Sequence, residues 1–302
     1  MKREIPGHIK KAFKSIDRFL PVVDVIVELV DARMPEGARL RGFSGRLGKR
    51  SLVVLGKSDL ADPIETKKWI ERYKKEGLTC VAIDARNRSS VKKLSSIIQK
   101  IAFEEVPGKP SPARKVRRVM IIGIPNVGKS TLINSLAGRK AARTANSPGL
   151  TRDIQWIKLQ GRLELLDLPG ILDFSLIRRG NILKLINTIP GREDDSYEQA
   201  KLLCELLART GCSSIIPGLP EAEGKFDQFL NEYAEKMNFV QKGGIPDGRR
   251  ASADLIKRFQ SGGFGKVTIE KADNDFTVLF AEDLIAEDSE TLKDSGEIDE
   301  LS

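Results

Sequence analysis

The chain has 302 residues, enough for one large domain or two modest ones, and 40% hydrophobic with 31% charged residues is an ordinary globular composition. No run approaches the roughly 18 uninterrupted apolar residues of a membrane helix, and the N-terminus lacks the apolar core of a secretion signal. Three scattered cysteines are too few for a disulfide framework or a zinc site, so we expect a cytoplasmic protein with no membrane partner.

The charge is unevenly distributed along the chain. The formal net charge is +9, but residues 270–302 contain twelve acidic residues and two lysines, so the preceding residues carry +19. A body this basic favours a polyanion such as RNA or DNA, because binding releases condensed counterions. A basic protein without a nucleic-acid partner explains the charge equally well.

Apolar runs and amphipathic stretches alternate through the first 170 residues. Runs rich in Val, Ile and Leu predict strands, and stretches of helical length and period predict helices. The predicted strands are Val22–Val30, Ser51–Leu55, Leu78–Ile83, Val119–Ile124, Ile154–Leu159 and Leu163–Leu168, the last two as a hairpin, and the predicted helices are Asp62–Glu76, Ser89–Phe103 and Lys129–Ala137. This alternation indicates an α/β fold with a mostly parallel sheet and helices on both faces.

The composition changes at three places. Residues 105–115 contain three prolines and no periodicity, which predicts a linker. Beyond Leu172 the strand signal stops, and four helices follow at Phe174–Thr188, Ser196–Thr210, Glu221–Met237 and Asp247–Gln260. We therefore predict an α/β domain at residues 1–175, an all-α domain at 176–270 and an acidic, disordered tail at 271–302.

Residues 123–130, here called the phosphate loop, have the sequence GIPNVGKS between a predicted strand and a predicted helix. In a GxxxxGKS loop of this kind, backbone N–H groups surround phosphate oxygens at the helix N-terminus. Lys129 is expected to neutralise β- and γ-phosphate charge, and Ser130 to bind Mg²⁺. The nucleotide contacts expected from this loop and the residue after it are Asn126, Val127, Gly128, Lys129, Ser130 and Thr131. The alternative is a plain glycine-rich turn.

Asp167-Leu168-Pro169-Gly170 follows the last predicted strand, about 40 residues after the phosphate loop. An Asp at this position can hold Mg²⁺ through water, and the N–H of Gly170 can approach a γ-phosphate. Thr151 lies between the two motifs and is a candidate second Mg²⁺ ligand. Its alternative role is to cap a helix or strand.

Gly56-Lys57-Ser58-Asp59, here called the base loop, follows the second predicted strand and resembles the NKxD loop of GTPases. The Asp59 carboxylate can accept N1–H and N2–H₂ of guanine, a pair that adenine does not offer, while the Lys57 stem packs along the base. Asp84-Ala85, here called the O6 loop, ends the third predicted strand and can offer a backbone N–H to guanine O6. The expected base contacts are Lys57, Ser58, Asp59, Asp84 and Ala85. A solvated turn is the alternative for the base loop.

All four motifs follow the carboxyl end of a predicted strand, the edge at which open α/β sheets bind ligands. The base-reading loops precede the phosphate loop, which reverses the order of ordinary GTPases. The chain therefore resembles the circularly permuted GTPases, most closely the ribosome biogenesis GTPase A family, with residues 105–115 joining the permuted halves. Three further segments carry the resemblance: IPGHIKKA at 5–12, DARMP at 31–35 and GGFGKVTIE at 262–270.

The resemblance implies a GTP- and GDP-binding protein with slow intrinsic turnover. It implies docking on the late pre-ribosomal large subunit, whose RNA the helical C-terminal domain would contact. The other function that we keep open is a nucleic-acid-binding protein for which the guanine nucleotide is only a structural or regulatory ligand.

The resemblance also suggests how hydrolysis is assisted. The residue after Gly170 is Ile171 rather than a water-orienting Gln, so His8, the only histidine, is a candidate for positioning water. Asn126 is a candidate for holding K⁺ beside the phosphates. The alternatives are that His8 docks the first helix and that Asn126 bonds its own loop.

Two residues depart from the family pattern. Gly56 stands where the family has Asn, and Asp84 stands where it has Ser. We expect weaker guanine affinity from the first change, while Asp59 retains the discrimination against adenine.

Overall fold

The computed structural model describes residues 19–40, 50–104, 116–138, 155–167, 180–187, 195–219 and 225–273. Its strands are β1 (Val25–Asp31), β2 (Arg50–Gly56), β3 (Thr79–Ala82), β4 (Arg117–Ile122), β5 (Gln155–Leu159) and β6 (Leu163–Asp167). Its α-helices are α1 (Pro63–Lys75), α2 (Arg88–Phe103), α3 (Lys129–Ala137), α4 (Gly180–Leu185), α5 (Ser196–Arg209), α6 (Phe226–Lys236) and α7 (Gly248–Ser261). The order and type of the predicted elements are confirmed within these ranges. The predicted linker and nearly all of the acidic tail lie outside them.

The six strands form one sheet in the order β3-β2-β1-β4-β6-β5. The first five in this order run parallel, and β5 is antiparallel to β6, as the predicted hairpin requires. β1 lies between β2 and β4, and every one of its residues is buried. A central parallel strand is covered on both faces, which explains why its sequence is an apolar run rather than an alternating pattern.

Side-chain caps fix where two helices start beside the sheet edge. The Asp62 carboxylate accepts the N–H groups of Ile64 and Glu65 at the start of α1. The Asn87 side chain accepts two N–H groups at the start of α2. Asp62 and Asn87 lie shortly after the base loop and the O6 loop, so these caps fix the direction in which the chain leaves both loops.

The C-terminal helices pack on one another around α7, which contacts α4, α5 and α6. After α7, residues 262–273, here called the strap, return to the first half of the sheet. Val267 N–H donates to Leu60 O at 2.9 Å, and the Trp69 indole N–H donates to Glu270 O at 2.8 Å. The strap therefore joins the C-terminal helices to α1 and to the base loop. The predicted domain boundaries stay a prediction.

Within the described ranges, none of the helices has the length and hydropathy that crossing a membrane requires.

Candidate nucleotide-binding site

The sheet order brings together loops that are distant in sequence. The base loop follows β2 and the phosphate loop follows β4, and β1 is the strand between them. The O6 loop follows β3, which lies beyond β2. Because these strands are parallel, the three loops emerge at the same edge of the sheet. The segment before the predicted linker at 105–115 thus supplies the base-reading loops, and the segment after it supplies the phosphate loop.

The phosphate loop has the backbone of an anion-binding turn. Asn126 has φ 54° and Gly128 has φ 109°, a left-handed conformation that glycine adopts without steric cost. The first turn of α3 is closed by the Leu132 N–H, which donates to Gly128 O at 2.9 Å. The N–H groups before Leu132 consequently have no acceptor within the helix and, with the helix dipole, favour an anion.

Lys129 carries its charge inside the phosphate loop. The side chain is 7% exposed, and Nζ donates to Gly123 O at 2.9 Å and to Ile124 O at 3.0 Å. A buried ammonium that is held by its own loop is already oriented toward a ligand in that loop. Ser130 follows it in the first turn of α3 and is half-buried, whereas Thr131 is exposed.

Lys57 joins the base loop to the phosphate loop. The residue has φ 55°, and its Nζ lies 3.3 Å from Asn126 O and 3.0 Å from an oxygen of the Asp31 carboxylate. Ser58 N–H donates to Ile83 O at 3.2 Å, which ties the base loop to the end of β3. The half-buried Asp59 carboxylate accepts no hydrogen bond from the described part of the chain and interacts with Arg33 through charge alone. It is therefore available to a base.

The O6 loop has one N–H group that can face a ligand. Asp84 N–H donates to Ser90 Oγ at 3.1 Å, and the Asp84 carboxylate accepts Arg86 N–H at 2.8 Å. Ala85 lies between Asp84 and Arg86, and its backbone N–H has no hydrogen-bond acceptor among the described residues. The Ala85 carbonyl accepts Ser135 Oγ at 2.7 Å, which anchors the O6 loop on α3.

The sequence predicts Mg²⁺ ligands in three separate segments, at Ser130, Thr151 and Asp167. Ser130 lies at the start of α3, and Asp167 is the last residue of β6, which pairs with β4. The Asp167 side chain is not among the described parts of the structure. His8, Thr151 and Gly170 lie outside the described residues. No group of three His, Cys, Asp or Glu in the described ranges suits a metal ion. Mg²⁺ keeps several waters and takes few protein oxygens beside phosphates, so the Ser130 hydroxyl fits that ion.

Two charged residues at this edge, Asp31 and Arg33, were given no role from the sequence. Asp31 is fully buried, and its carboxylate accepts Arg33 Nε at 3.0 Å and Arg33 Nη2 at 2.9 Å. Burial alone would raise the pKa of Asp31, but the charges of Arg33 and Lys57 hold it well below its ordinary value. The sequence feature that could indicate a role for them is a pair of opposite charges directly after an apolar strand, at the edge where ligands bind.

Known proteins resemble this chain over both the sheet and the C-terminal helices. A family model described as "50S ribosome-binding GTPase" matches residues 118–242. The protein "Ribosome biogenesis GTPase A" of Thermotoga maritima is 31% identical over 271 residues, which are 89% of this chain and 94% of that protein.

Two solved structures of YlqF from T. maritima are similar over most of this chain. The GDP-bound structure is 29% identical, with 86% of this chain and 100% of that one covered and a TM-score of 0.64. The GNP-bound structure is 30% identical, with 88% and 100% covered and a TM-score of 0.62. Nucleotide complexes therefore exist for a protein of this architecture.

Proposed function

Because this chain belongs to the ribosome biogenesis GTPase A family and is thus a GTPase assembly factor in ribosome maturation, we propose that it acts on the late pre-ribosomal large subunit, in the cytoplasm. Its GTP form docks on that particle, and the particle stimulates hydrolysis to GDP and phosphate. Support for the particle comes from the family model described as "50S ribosome-binding GTPase". The observation that carries the nucleotide site is the Lys57 side chain, which spans from the base loop to Asn126 O in the phosphate loop. Two loops in direct contact form a single site.

Base recognition falls to three residues of the first half of the chain. The Asp59 carboxylate accepts guanine N1–H and N2–H₂, and the Ala85 N–H donates to O6. The Lys57 stem lies along the base, with its ammonium already fixed by the phosphate loop. Adenine offers an acceptor at N1 and no amine at C2, so it leaves the Asp59 carboxylate unpaired.

We assign phosphate and metal binding to the segment after residue 115. Lys129 and the N–H groups of the phosphate loop neutralise the β- and γ-phosphates, and Gly170 contacts the γ-phosphate. Ser130 and Thr151 would hold Mg²⁺ directly, and Asp167 through water. When bound, Mg²⁺ stabilises the charge that develops on the transferred phosphate.

For the water-activating step we propose His8, with K⁺ held beside the phosphates by Asn126. A neutral imidazole can orient water or accept its proton, which the side chain at Ile171 cannot do. A monovalent cation would compensate negative charge in the transition state. Both assignments rest on the family resemblance.

For contact with ribosomal RNA we propose the outer face of α7. Arg249, Arg250 and Lys257 are exposed on this helix, whereas Leu255 and Phe259 are buried on its opposite face. A row of cations on one helix face suits a phosphate backbone.

The experiment is GTP turnover in K⁺ buffer, alone and with purified large or small ribosomal subunits. We expect a rise of about ten-fold or more, equivalent to about 1.4 kcal/mol of barrier, with large subunits only. Turnover should fall when Na⁺ replaces K⁺, and the His8→Ala variant should lose the stimulated part.

ATP is the nucleotide control in this experiment. Equal stimulation by small subunits, or equal turnover of ATP, would contradict the proposal. Full stimulation of the His8→Ala variant would remove His8 from the catalytic residues and leave the rest of the proposal standing.

A further inference from the structure

Asp31 occupies the centre of the ligand-binding edge. It is the last residue of β1, the strand between the one that leads to the base loop and the one that leads to the phosphate loop. It pairs in register with Gly56, the first residue of the base loop, and Ala32 N–H donates to Gly56 O at 2.9 Å. None of the Asp31 surface is exposed. A fully buried carboxylate at this point needs partners, and its partners identify its role.

The Asp31 carboxylate has two partners. Oδ1 accepts the backbone N–H and Nε of Arg33, both at 3.0 Å. Oδ2 accepts Arg33 Nη2 at 2.9 Å and lies 3.0 Å from Lys57 Nζ. The same Lys57 Nζ donates to Asn126 O at 3.3 Å. The ammonium of Lys57 is therefore held between Asp31 and the phosphate loop.

The tie between the two loops cannot come from residue 56. Gly56 has no side chain, and a Cβ built on it would lie 2.9 Å from Leu29 Cδ1 and 3.4 Å from Val30 O. A side chain at residue 56 would therefore require the Leu29 methyl group of β1 to shift. Among the described residues, Lys57 is the base-loop side chain that reaches the phosphate loop.

Arg33 prevents the carboxylate from turning away from Lys57. Its Nη1 donates to Phe259 O at 3.0 Å, and its guanidinium lies 5.1 Å from the centre of the Phe259 ring. Arg33 is itself buried, with 1% of its surface exposed. A planar guanidinium fixed at both ends holds both oxygens of Asp31 in one orientation.

We propose that Asp31 is a positioning residue for guanine-nucleotide binding, which holds the Lys57 ammonium between the base loop and the phosphate loop. Lysine is a point charge on a flexible stem, and a free stem would lose its rotamer freedom when the nucleotide binds. Because Asp31 already holds the Lys57 side chain in one conformation, less conformational entropy is lost when the nucleotide binds. This inference rests on the role of the base loop in the proposed function.

The test is a double-mutant cycle on the affinity of a fluorescent GDP analogue. We expect Asp31→Asn and Lys57→Met each to weaken binding by about ten-fold or more, because each removes a charge-assisted contact. If Asp31 acts through Lys57, the double variant binds no more weakly than the weaker single variant.

Two further variants separate positioning from folding. Glu28→Gln likewise replaces a buried β1 carboxylate that is paired with an arginine, here Arg39. Glu28 touches no nucleotide loop, so the variant should bind the GDP analogue within about two-fold of the wild-type affinity. Lys57→Gln keeps a donor for Asn126 O and leaves the buried pair of Asp31 and Arg33 intact. It tests the ion pair even where Asp31→Asn does not fold, and we expect it to bind as weakly as Lys57→Met.

Several outcomes would overturn the inference. One is a nucleotide affinity equal to that of the wild type in Asp31→Asn or Lys57→Gln. Another is a double variant whose loss of affinity is the product of the two single losses. The third is a loss of affinity in Glu28→Gln as large as that in Asp31→Asn. If Lys57→Met alone bound normally, the proposed base-loop role of Lys57 would fail together with the inference. A loss of affinity in Lys57→Met with none in Asp31→Asn would overturn the inference and leave the proposed function intact.

Discussion

Two carboxylates lie on the buried strand β1, and each is paired with an arginine. Glu28 accepts Arg39 Nη2 at 3.1 Å and the Leu40 N–H at 2.7 Å, while Asp31 accepts Arg33. A buried charge is tolerated when its attraction and hydrogen bonds offset the loss of water. Both pairs hold the chain that follows β1 against the sheet. The two buried carboxylates of this apolar strand therefore fix the position of the loop that follows it.

The cysteines provide a test of burial at the residue scale. Burial raises the pKa of Cys80 and of Cys204 to about 12, from an ordinary value of 9.0. Since only the thiolate reacts, both should be alkylated by iodoacetamide at pH 8 about a hundred-fold more slowly in the native protein than in urea. Timed peptide mass spectrometry measures the two rates.

The pH dependence has a definite sign. Between pH 7 and 9 both rates rise with pH, because the thiolate fraction grows in both states, but burial keeps the native rate lower throughout. Above about pH 9 the unfolded rate levels off, whereas the native rate still rises because the native pKa is about 12. Native labelling of Cys204 at the rate measured in urea would contradict its burial.

At the scale of elements, the strap connects the C-terminal helices with the residues that follow β1 and β2. The Glu270 carboxylate accepts the N–H groups of Glu36 and Gly37 at 2.7 and 2.8 Å, and Glu270 is 1% exposed. The Val267 N–H donates to Leu60 O, directly after the base loop. The strap therefore holds the loop after β1 and the base loop together.

Glu270→Gln should lower the free energy of unfolding by about 2 kcal/mol. The amide keeps one acceptor oxygen but places an N–H₂ group against a backbone N–H, which leaves a buried donor without an acceptor. Urea unfolding followed by circular dichroism measures the change.

Asp273→Asn is the matched control on the same strap. The Asp273 carboxylate is paired with Lys68 at 2.8 Å, but its side chain is 71% exposed and water replaces the lost contact. Its unfolding should be unchanged within the error of the measurement. Equal losses in both variants would contradict the distinction between the buried and the exposed carboxylate.

At the scale of the whole molecule, local sequence patterns predicted the elements but not their arrangement. The helix α3 has the predicted bounds, and the hairpin turns where Gln160 and Gly161 indicate it. The roles of Asp31 and Lys57 depend on β1 lying between β2 and β4, which is a pairing of distant segments that periodicity does not encode. The limited space at Gly56 likewise depends on Leu29 of the neighbouring strand.

A single guanine site built from both halves of the permuted chain is tested most directly by changing the base that it reads. In Asp59→Asn, the side chain can donate an N–H to the C2 oxygen of xanthine, where guanine has an amine. We predict that this variant loses GDP affinity by about a hundred-fold and gains XDP affinity by a similar factor, since each mismatch leaves a buried polar group unpaired. Competition against a fluorescent nucleotide measures both constants, with ADP as the control. Unchanged preference for GDP over XDP would contradict the assignment of the base loop.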